Sequence, residues 1–545
     1  MSNGANPAVL IVGGGPTGLT TALELARFGI PLRIIDEMEG PATTSRAFGI
    51  QARTLEEMEL RSLADEFVRL GHRVTGGDIY AQGKRLIRVD FTKIHSRYNF
   101  LLSLSQTETE RILRDALEAE GAAVEWGVKL VAIGRQHSGV TAILQQNGGS
   151  LEEVKSSFVI GAEGAHSMVR NSLGLEFKGK TIDENFALGD VHVFGDLPNS
   201  DFHIFSSDEG FLAMFPLGGS HFRLVAGNPE QSQTNSEPPS LEQLQNFYDR
   251  RSHIPARLCQ LTWSSWFQIN SRMVERLRIG NIFLAGDAAH VHSPAGAQGM
   301  NTGIQDAINL GWKLALVLEG RAPKTLLDTY EQDRIPVMRS ILSRTEGLTA
   351  MVAGGNSIAR SFFLHLAPWI ANAEFVQESA TSRISQIALN YRNSPLSDDH
   401  FAEGEVIAGD RLPDLMVRLS AASNGEPRRL LSLLNPSRFT LLVANFANSV
   451  STQPQISRTS AQWQDLQAAV SKSVAPWQDL VDIVQIAPPR DETAKLLQKQ
   501  LGARASITLV RPDAYIGFRG NENSVSQLTA YCKRWLTPEA EQQAA

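Results

Sequence analysis

The sequence predicts an α/β protein in several parts: a parallel-sheet domain with an inserted mixed β-sheet, long helices after it, and a small α/β domain at the C-terminal end. Three observations lead there. A strand, a glycine turn, a helix and a second strand follow one another over 8–36. The pattern changes to short alternating segments between Phe186 and Phe267. Strand–helix alternation then starts afresh beyond a turn-rich stretch at 393–413. A chain of 545 residues exceeds one ordinary core and accommodates about two to four domains.

Taken in order, Ala8-Val9-Leu10-Ile11-Val12 is a short apolar run, as expected of a strand buried on both faces. Leu19 to Phe28 carries Leu19, Leu23, Leu25 and Ala26 at helical spacing and stops at Gly29, a natural C-terminal cap. Leu32 to Asp36 is the next strand, Glu108 to Gly121 a further helix, and Val128 to Leu144 a set of alternating segments. Phe211–Phe215 and Phe222–Val225 predict antiparallel strands of a separate sheet, and the polar stretch from Asn228 to Pro239 a loop. Thr302 to Gly320 and Thr325 to Leu348 read as long helices, and Phe439–Val443 and Ser506–Val510 as strands of the last domain.

Composition narrows the class. Hydrophobic residues make up 42% and charged residues 20%, which is globular. A formal net charge of -7 and the absence of a Lys/Arg-rich block speak against nucleic acid or an anionic membrane as partner. Cys259 and Cys532 form neither a CxxC pair nor a zinc site. No signal segment opens the chain and no run of about eighteen apolar residues crosses a membrane, so a cytoplasmic enzyme is expected.

The first chemical motif is Gly13-Gly14-Gly15-Pro16-Thr17-Gly18, a G-x-G-x-x-G between strand and helix. Gly13 permits the tight turn, Gly15 lets the backbone approach a pyrophosphate, and Gly18 lets the helix pack on the strand. The helix N-terminus offers unpaired N–H groups to the phosphates. Asp36, with Glu37 beside it, ends the second strand where an acid accepts hydrogen bonds from a ribose. An acid there also repels a 2'-phosphate, so this loop does not suit NADP.

The second motif runs from Asn281 to His290 (NIFLAGDAAH) and continues through Val291-His292-Ser293-Pro294-Ala295-Gly296-Ala297-Gln298-Gly299-Met300-Asn301. An apolar strand delivers Asp287 at its end, where a carboxylate can bond a ribityl hydroxyl. The helix opening at Gly299-Met300-Asn301 can aim its dipole at an electron-rich isoalloxazine.

This segment resembles the GD fingerprint of the FAD-dependent aromatic hydroxylases, the class A flavoprotein monooxygenases with the para-hydroxybenzoate hydroxylase fold. Val159 to Arg170 resembles the family's DG motif, with Glu163 where the family usually has Asp. Ser45 to Ile50 with Arg53 to Glu56, and Gln106 to Arg111, are similar to segments that contact FAD in relatives. Asp410 to Asp414 and Leu509 to Gly517 resemble the larger, phenol-hydroxylase-like members, whose C-terminal domain is thioredoxin-like.

The resemblance implies a Rossmann-type FAD-binding domain over 1–185, with a small insertion near 74–100, and a substrate-binding β-sheet over 186–272. The second part of the FAD-binding domain with a helical region follows over 273–395, then the thioredoxin-like domain over 396–545. It implies FAD as cofactor, NADPH or NADH as transient co-substrate, dioxygen, a small aromatic substrate and a homodimer. Reduced pyridine nucleotide would pass hydride to FAD, and a C4a-hydroperoxide would transfer OH to an activated ring.

Among site residues, Arg46 suits a cation near flavin and substrate; a phosphate or surface contact suits it as well. Pro294 matches a position whose backbone approaches the substrate in relatives, and Arg223 is a further candidate to face the ring. His290 and His292 read as hydrogen-bonders of the flavin loop, and Phe205, Phe211 and Phe215 as core. The resemblance leaves open a same-fold flavoprotein acting on a non-aromatic substrate, by epoxidation or antibiotic inactivation, and a flavin-binding accessory protein that does not hydroxylate.

Overall fold

A computed structural model describes residues 6–44, 47–137, 139–207, 209–228, 237–292, 296–353, 381–419, 426–444, 460–489, 493–502 and 506–542. Its first layer is a six-stranded sheet in the order Arg278–Ile279, Ile282–Leu284, Phe158–Gly161, Val9–Val12, Leu32–Asp36, Val124–Trp126. All but the first strand run parallel. Val9–Val12 pairs on both edges and is buried at every position, which is why it reads as an unbroken apolar run. The carboxyl ends of four neighbouring strands therefore deliver Gly13, Asp36, Glu163 and the segment to Asp287 to one edge of the sheet, where open α/β sheets bind ligands.

The predicted helix after the glycine turn spans Pro16–Arg27, starting earlier than its apolar spacing indicates because proline is suited to a first turn. The helix Gln106–Ala119 is capped by Ser105, whose hydroxyl accepts from the Glu108 N–H at 3.2 Å.

A second, eight-stranded sheet is mixed. Its centre is the long antiparallel pair Lys178–Gly195 and Ala256–Met273, followed outward by His221–Asn228, Gly210–Gly218 and Phe202–Ser207. The hairpin Gly76–Ala81 with Lys84–Asp90 pairs parallel onto Phe202–Ser207 and completes that edge. These residues fall in the segment that the sequence groups with the first domain. They join the second sheet because its edge strand would otherwise present unpaired N–H and C=O groups. The strand from Lys178 likewise begins before 186, since its partner extends to Met273.

In the C-terminal part, Phe439–Ala444 is central. It pairs parallel with Val481–Ala487 and antiparallel with Ser506–Val510, which pairs antiparallel with Ile516–Gly520. The helices Ser460–Val474 and Val525–Trp535 pack together and contribute to its core. Cys532 is buried there and Cys259 lies in the mixed sheet, so no bridge joins them.

The helix Gly299–Leu318 binds these parts together. Ile304, Ile308 and Leu314 belong to the core of the parallel sheet, while Trp312 and Leu316 belong to the core of the C-terminal sheet. Such a double burial leaves almost no side of the helix to solvent, so its polar residues, among them Asp306, Asn309 and Lys313, must find partners inside the protein.

Candidate active site

Between the carboxyl edge of the parallel sheet and one face of the mixed sheet lies a cavity of about 580 Å³. Gly13, Gly15, Pro16, Thr17, Asp36 and Asp287 are on its wall from the first side; Leu188, Trp263, Ser265 and Phe267 are on its wall from the second.

The glycine turn is built by close approach. Gly13 has φ +111, and a Cβ there would stand 2.4 Å from the Ala162 carbonyl oxygen on the neighbouring strand. A Cβ on Gly18 would stand 1.8 Å from the Gly13 carbonyl oxygen, so Gly18 packs on the turn itself and is not on the cavity wall. Gly15 has nothing within 4 Å and opens to the cavity. Thr17 is clasped by Gly286 and Gly303, where added Cβ atoms would each lie 2.4 Å from its Oγ1. The helix Pro16–Arg27, the Asp287 turn and the helix Gly299–Leu318 thus meet at one threonine.

Asp36 accepts from the Gly14 N–H at 2.6 Å and the Met38 N–H at 2.9 Å, which braces the carboxylate at the turn. Each oxygen keeps a further lone pair for a hydroxyl. Glu37 is exposed and pairs with Lys129 at 2.9 Å, away from the cavity wall. Asp287 sits in the 3₁₀ turn Gly286–Ala288, whose other two residues are buried. It is enclosed by protein, yet its side chain keeps accessible surface on the cavity. Burial raises its pKa above the ordinary carboxylate value, and hydroxyl donors in the cavity would relieve that cost.

His290, directly beyond this turn, is a buried hydrogen-bonder. Its Nε2 lies 2.7 Å from Asp306 Oδ2. His292 is on the cavity wall, its ring parallel to His290 with centroids 6.3 Å apart.

Gln106 lines the cavity and donates to Glu110 Oε1 at 2.8 Å, while its N–H donates to the Ala47 carbonyl at 3.0 Å. Glu163 also lines it. Its Oε1 accepts from the Val169 N–H at 2.7 Å, so the side chain reaches the start of the short helix Met168–Ser172, and burial raises its pKa.

Gly299 and Met300 are on the wall, but the Asn301 side chain is fully buried behind it. Asn301 donates to the Gly49 and Ala297 carbonyls at 2.8 and 2.7 Å and accepts from the Gln51 N–H at 2.8 Å. It holds the loop 47–51 against the helix N-terminus rather than presenting its amide to the cavity. Arg46 and Pro294 lie outside the described residues. Arg223 is 2% exposed and forms a bidentate pair with Asp190 at 2.7 and 2.8 Å, set behind the cavity wall.

The aromatic wall comes from a strand that sequence reasoning did not single out. Phe205 is core, stacked on Tyr80, and Phe215 packs on Phe48 with centroids 5.1 Å apart. Trp263, Ser265, Phe267 and Ile269, at alternate positions of Ala256–Met273, line the cavity together with Gln268 and Asn270. With Ser265 in the series and Trp266 outside it, no clean apolar period of two marks this strand in the sequence. Among the described residues no group of His, Cys, Asp and Glu is arranged to hold a metal, and no helix is long and apolar enough to cross a membrane.

The wall therefore fits an elongated dinucleotide along the glycine turn and helix termini, ending against an apolar sheet face. The family model described as "FAD binding domain" matches residues 6–345, and that described as "Aromatic-ring hydroxylase, C-terminal" matches 460–538. The chain belongs to the FAD-dependent aromatic hydroxylases. Similar to this hydroxylase is 6-methylpretetramide 4-monooxygenase of Streptomyces rimosus, 36% identical over 96% of this chain and 92% of its own length. Pentachlorophenol 4-monooxygenase of Sphingobium chlorophenolicum is 33% identical over 94% of each chain. Among solved structures, an anhydrotetracycline hydroxylase from Streptomyces rimosus superposes with a TM-score of 0.75 at 27% identity, covering 98% of this chain and 100% of its own. As a hydroxylase of this family the protein uses FAD and is a monooxygenase.

Proposed function

We propose that the protein hydroxylates a planar, phenol-like or polycyclic aromatic compound with NADH or NADPH and dioxygen as co-substrates. The observation that carries this is the continuity of one cavity from the dinucleotide cradle to the face of Leu188, Trp263 and Phe267. The relatives named above act on a chlorinated phenol and on polycyclic compounds, which supports the same class here.

When bound, FAD supplies hydride acceptance and oxygen activation. The chain's own residues do the rest. The turn at Gly13 and Gly15 and the N-terminus of Pro16–Arg27 receive the pyrophosphate, with Thr17 behind it. Asp36 receives the adenosine ribose and Asp287 the ribityl chain. Gln106, Gly299 and Met300 close the flavin end, and the apolar sheet face excludes water from it. Arg46 and Pro294 remain the proposed contacts between flavin loop and substrate.

The test is NAD(P)H oxidation by the purified yellow protein, with and without a panel of phenols and polycyclic aromatics. Substrate-stimulated oxidation matched by a product one oxygen heavier is the expected result. Oxidation that no aromatic accelerates, or that yields only hydrogen peroxide, would sink the reading.

The role of Asp287 has its own test. Asp287→Ala removes a charged acceptor worth about 1.5–3 kcal/mol in hydrogen bonds. FAD affinity should fall by roughly one to two powers of ten. Flavin fluorescence during titration of the apoprotein reads this directly, and an unchanged Kd would remove Asp287 from the cofactor site.

A further inference from the structure

One row of directly opposed residues crosses four strands of the mixed sheet. Trp263 on Ala256–Met273 faces Asp190 on Lys178–Gly195, which faces Arg223 on His221–Asn228, which faces Phe215 on Gly210–Gly218. In register, such residues share one face of the sheet. The Arg223 guanidinium lies 5.5 Å from the Trp263 ring centroid and 5.2 Å from that of Phe48, on the loop beside the helix Gly299–Leu318. Asp190 accepts from one edge of the guanidinium, Nε at 2.7 Å and Nη2 at 2.8 Å, and Phe48 also packs on Phe215. Both rings in contact with Arg223 line the cavity, and Arg223 itself does not.

A buried arginine fixed in this way has little rotational freedom. A cation over a ring face holds the ring by the aromatic quadrupole, more strongly where water is excluded. One side chain therefore anchors two walls of the cavity that belong to different parts of the fold. Trp263 comes from the sheet; Phe48 comes from the loop that Asn301 ties to the flavin-side helix.

We propose that Trp263 and Phe48 are the specificity-determining walls against which the aromatic substrate stacks, and that Arg223, locked by Asp190, is the positioning residue that sets their relative orientation. The inference rests on the aromatic-substrate reading above and adds the device that orients the ring.

The experiment uses the full-length, FAD-loaded protein labelled with 5-fluorotryptophan, its Trp263 resonance assigned by loss in Trp263→Phe. Because Arg223→Met alone would strand a buried carboxylate, the main variant is the double change Asp190→Leu with Arg223→Met, which removes both charges. Arg223→Lys, which keeps a cation beneath the rings, is the conservative partner.

The expected result is a single Trp263 resonance in the wild type that shifts or broadens in the double variant and is restored toward the wild type by lysine. With pentachlorophenol and anhydrotetracycline as probes, KM should rise roughly tenfold for any probe the wild type turns over. Hydrogen peroxide released per NAD(P)H consumed should rise with it, at unchanged FAD content. A Trp263 resonance that does not move in the double variant overturns the proposal, as does a resonance that moves while KM and peroxide release stay constant. A wild type that binds FAD and oxidises NAD(P)H but ignores both probes counts against the substrate reading; the Trp263 resonance then decides the positioning role alone.

Discussion

Asp306→Ala should cost about 3–5 kcal/mol of stability and release the flavin, because it strands a buried arginine. Asp306 is fully buried on the helix Gly299–Leu318. Its carboxylate accepts from Arg334 Nε at 2.6 Å and the Gly286 N–H at 3.1 Å, and it contacts His290 Nε2 at 2.7 Å. Arg334 continues to the Tyr391 hydroxyl at 2.8 Å and the Thr302 carbonyl at 3.1 Å, so its charge has no route to solvent. Gly286 immediately precedes Asp287, and losing the acceptor frees the turn that carries the proposed ribityl contact.

Burial opposes the charge on Asp306, but the Arg334 guanidinium and the His290 ring outweigh it and hold the carboxyl below its ordinary value. That contribution is present above the ordinary aspartate pKa of about 3.9 and is lost as pH falls through the lowered value. Urea unfolding across pH, followed by flavin fluorescence, should show the step in the wild type and its absence in Asp306→Asn. A variant as stable as the wild type that retains FAD would show that Arg334 finds another partner.

Asp333→Ala should be comparably severe and should loosen the C-terminal sheet from the rest. Asp333 lies between Lys313 Nζ at 2.8 Å and Arg511 Nη2 at 3.0 Å, all three fully buried. Arg511 is also held by Asp513, whose carboxylate accepts from Asn309 and the Trp312 indole at 3.2 and 3.3 Å. The Asp513 carbonyl accepts from Arg53 at 2.7 Å, at the start of the helix that follows the loop 47–51. Removing Asp333 leaves two buried cations facing each other, at about 3–5 kcal/mol.

Burial already pushes the Lys313 ammonium down to about 8. Without its carboxylate it releases its proton at lower pH still, so the charge-dependent loss should be greatest at or below neutral pH. It should fall away as pH rises to about 8, where the variant's lysine is already neutral. Denaturation midpoints at pH 6.5 and 9, with limited proteolysis near 393–413, check this. Equal losses at both pH values would assign the effect to packing instead of charge.

The glycine turn and the strand-end acid on the cavity wall are legible in the sequence alone. Gly13 and Asp36 were readable because a tight turn and a strand-end acid are demands of local backbone geometry. In the sequence Glu163 stands out only as a departure from the family's Asp; the structure shows its longer side chain reaching the Val169 N–H. Asp306 does not stand out in the sequence, because it is one of several polar residues in its helix, with Asn301, Gln305, Asn309 and Lys313. A polar residue in a helix buried all round signals a buried partner but not which one, and Arg334 lies 28 positions away. Trp263 is equally hidden in the sequence: Phe211 and Phe215 lie on a strand with at least as clear an alternation, and nothing local distinguishes the strand that borders the cavity.

By itself the sequence determined the parallel-sheet core, the glycine turn and the acids at strand ends, since hydrophobic period, turn chemistry and capping act within a few residues. Only the tertiary structure decided that Arg223 stands behind the cavity, locked to Asp190, and that Asn301 holds the loop 47–51 by its buried side chain. It also decided that one helix serves two cores. Each of these depends on strand register or on contacts between residues far apart in the chain. A register shift of one residue would turn Trp263 to the opposite face of its sheet and leave the local sequence pattern unchanged.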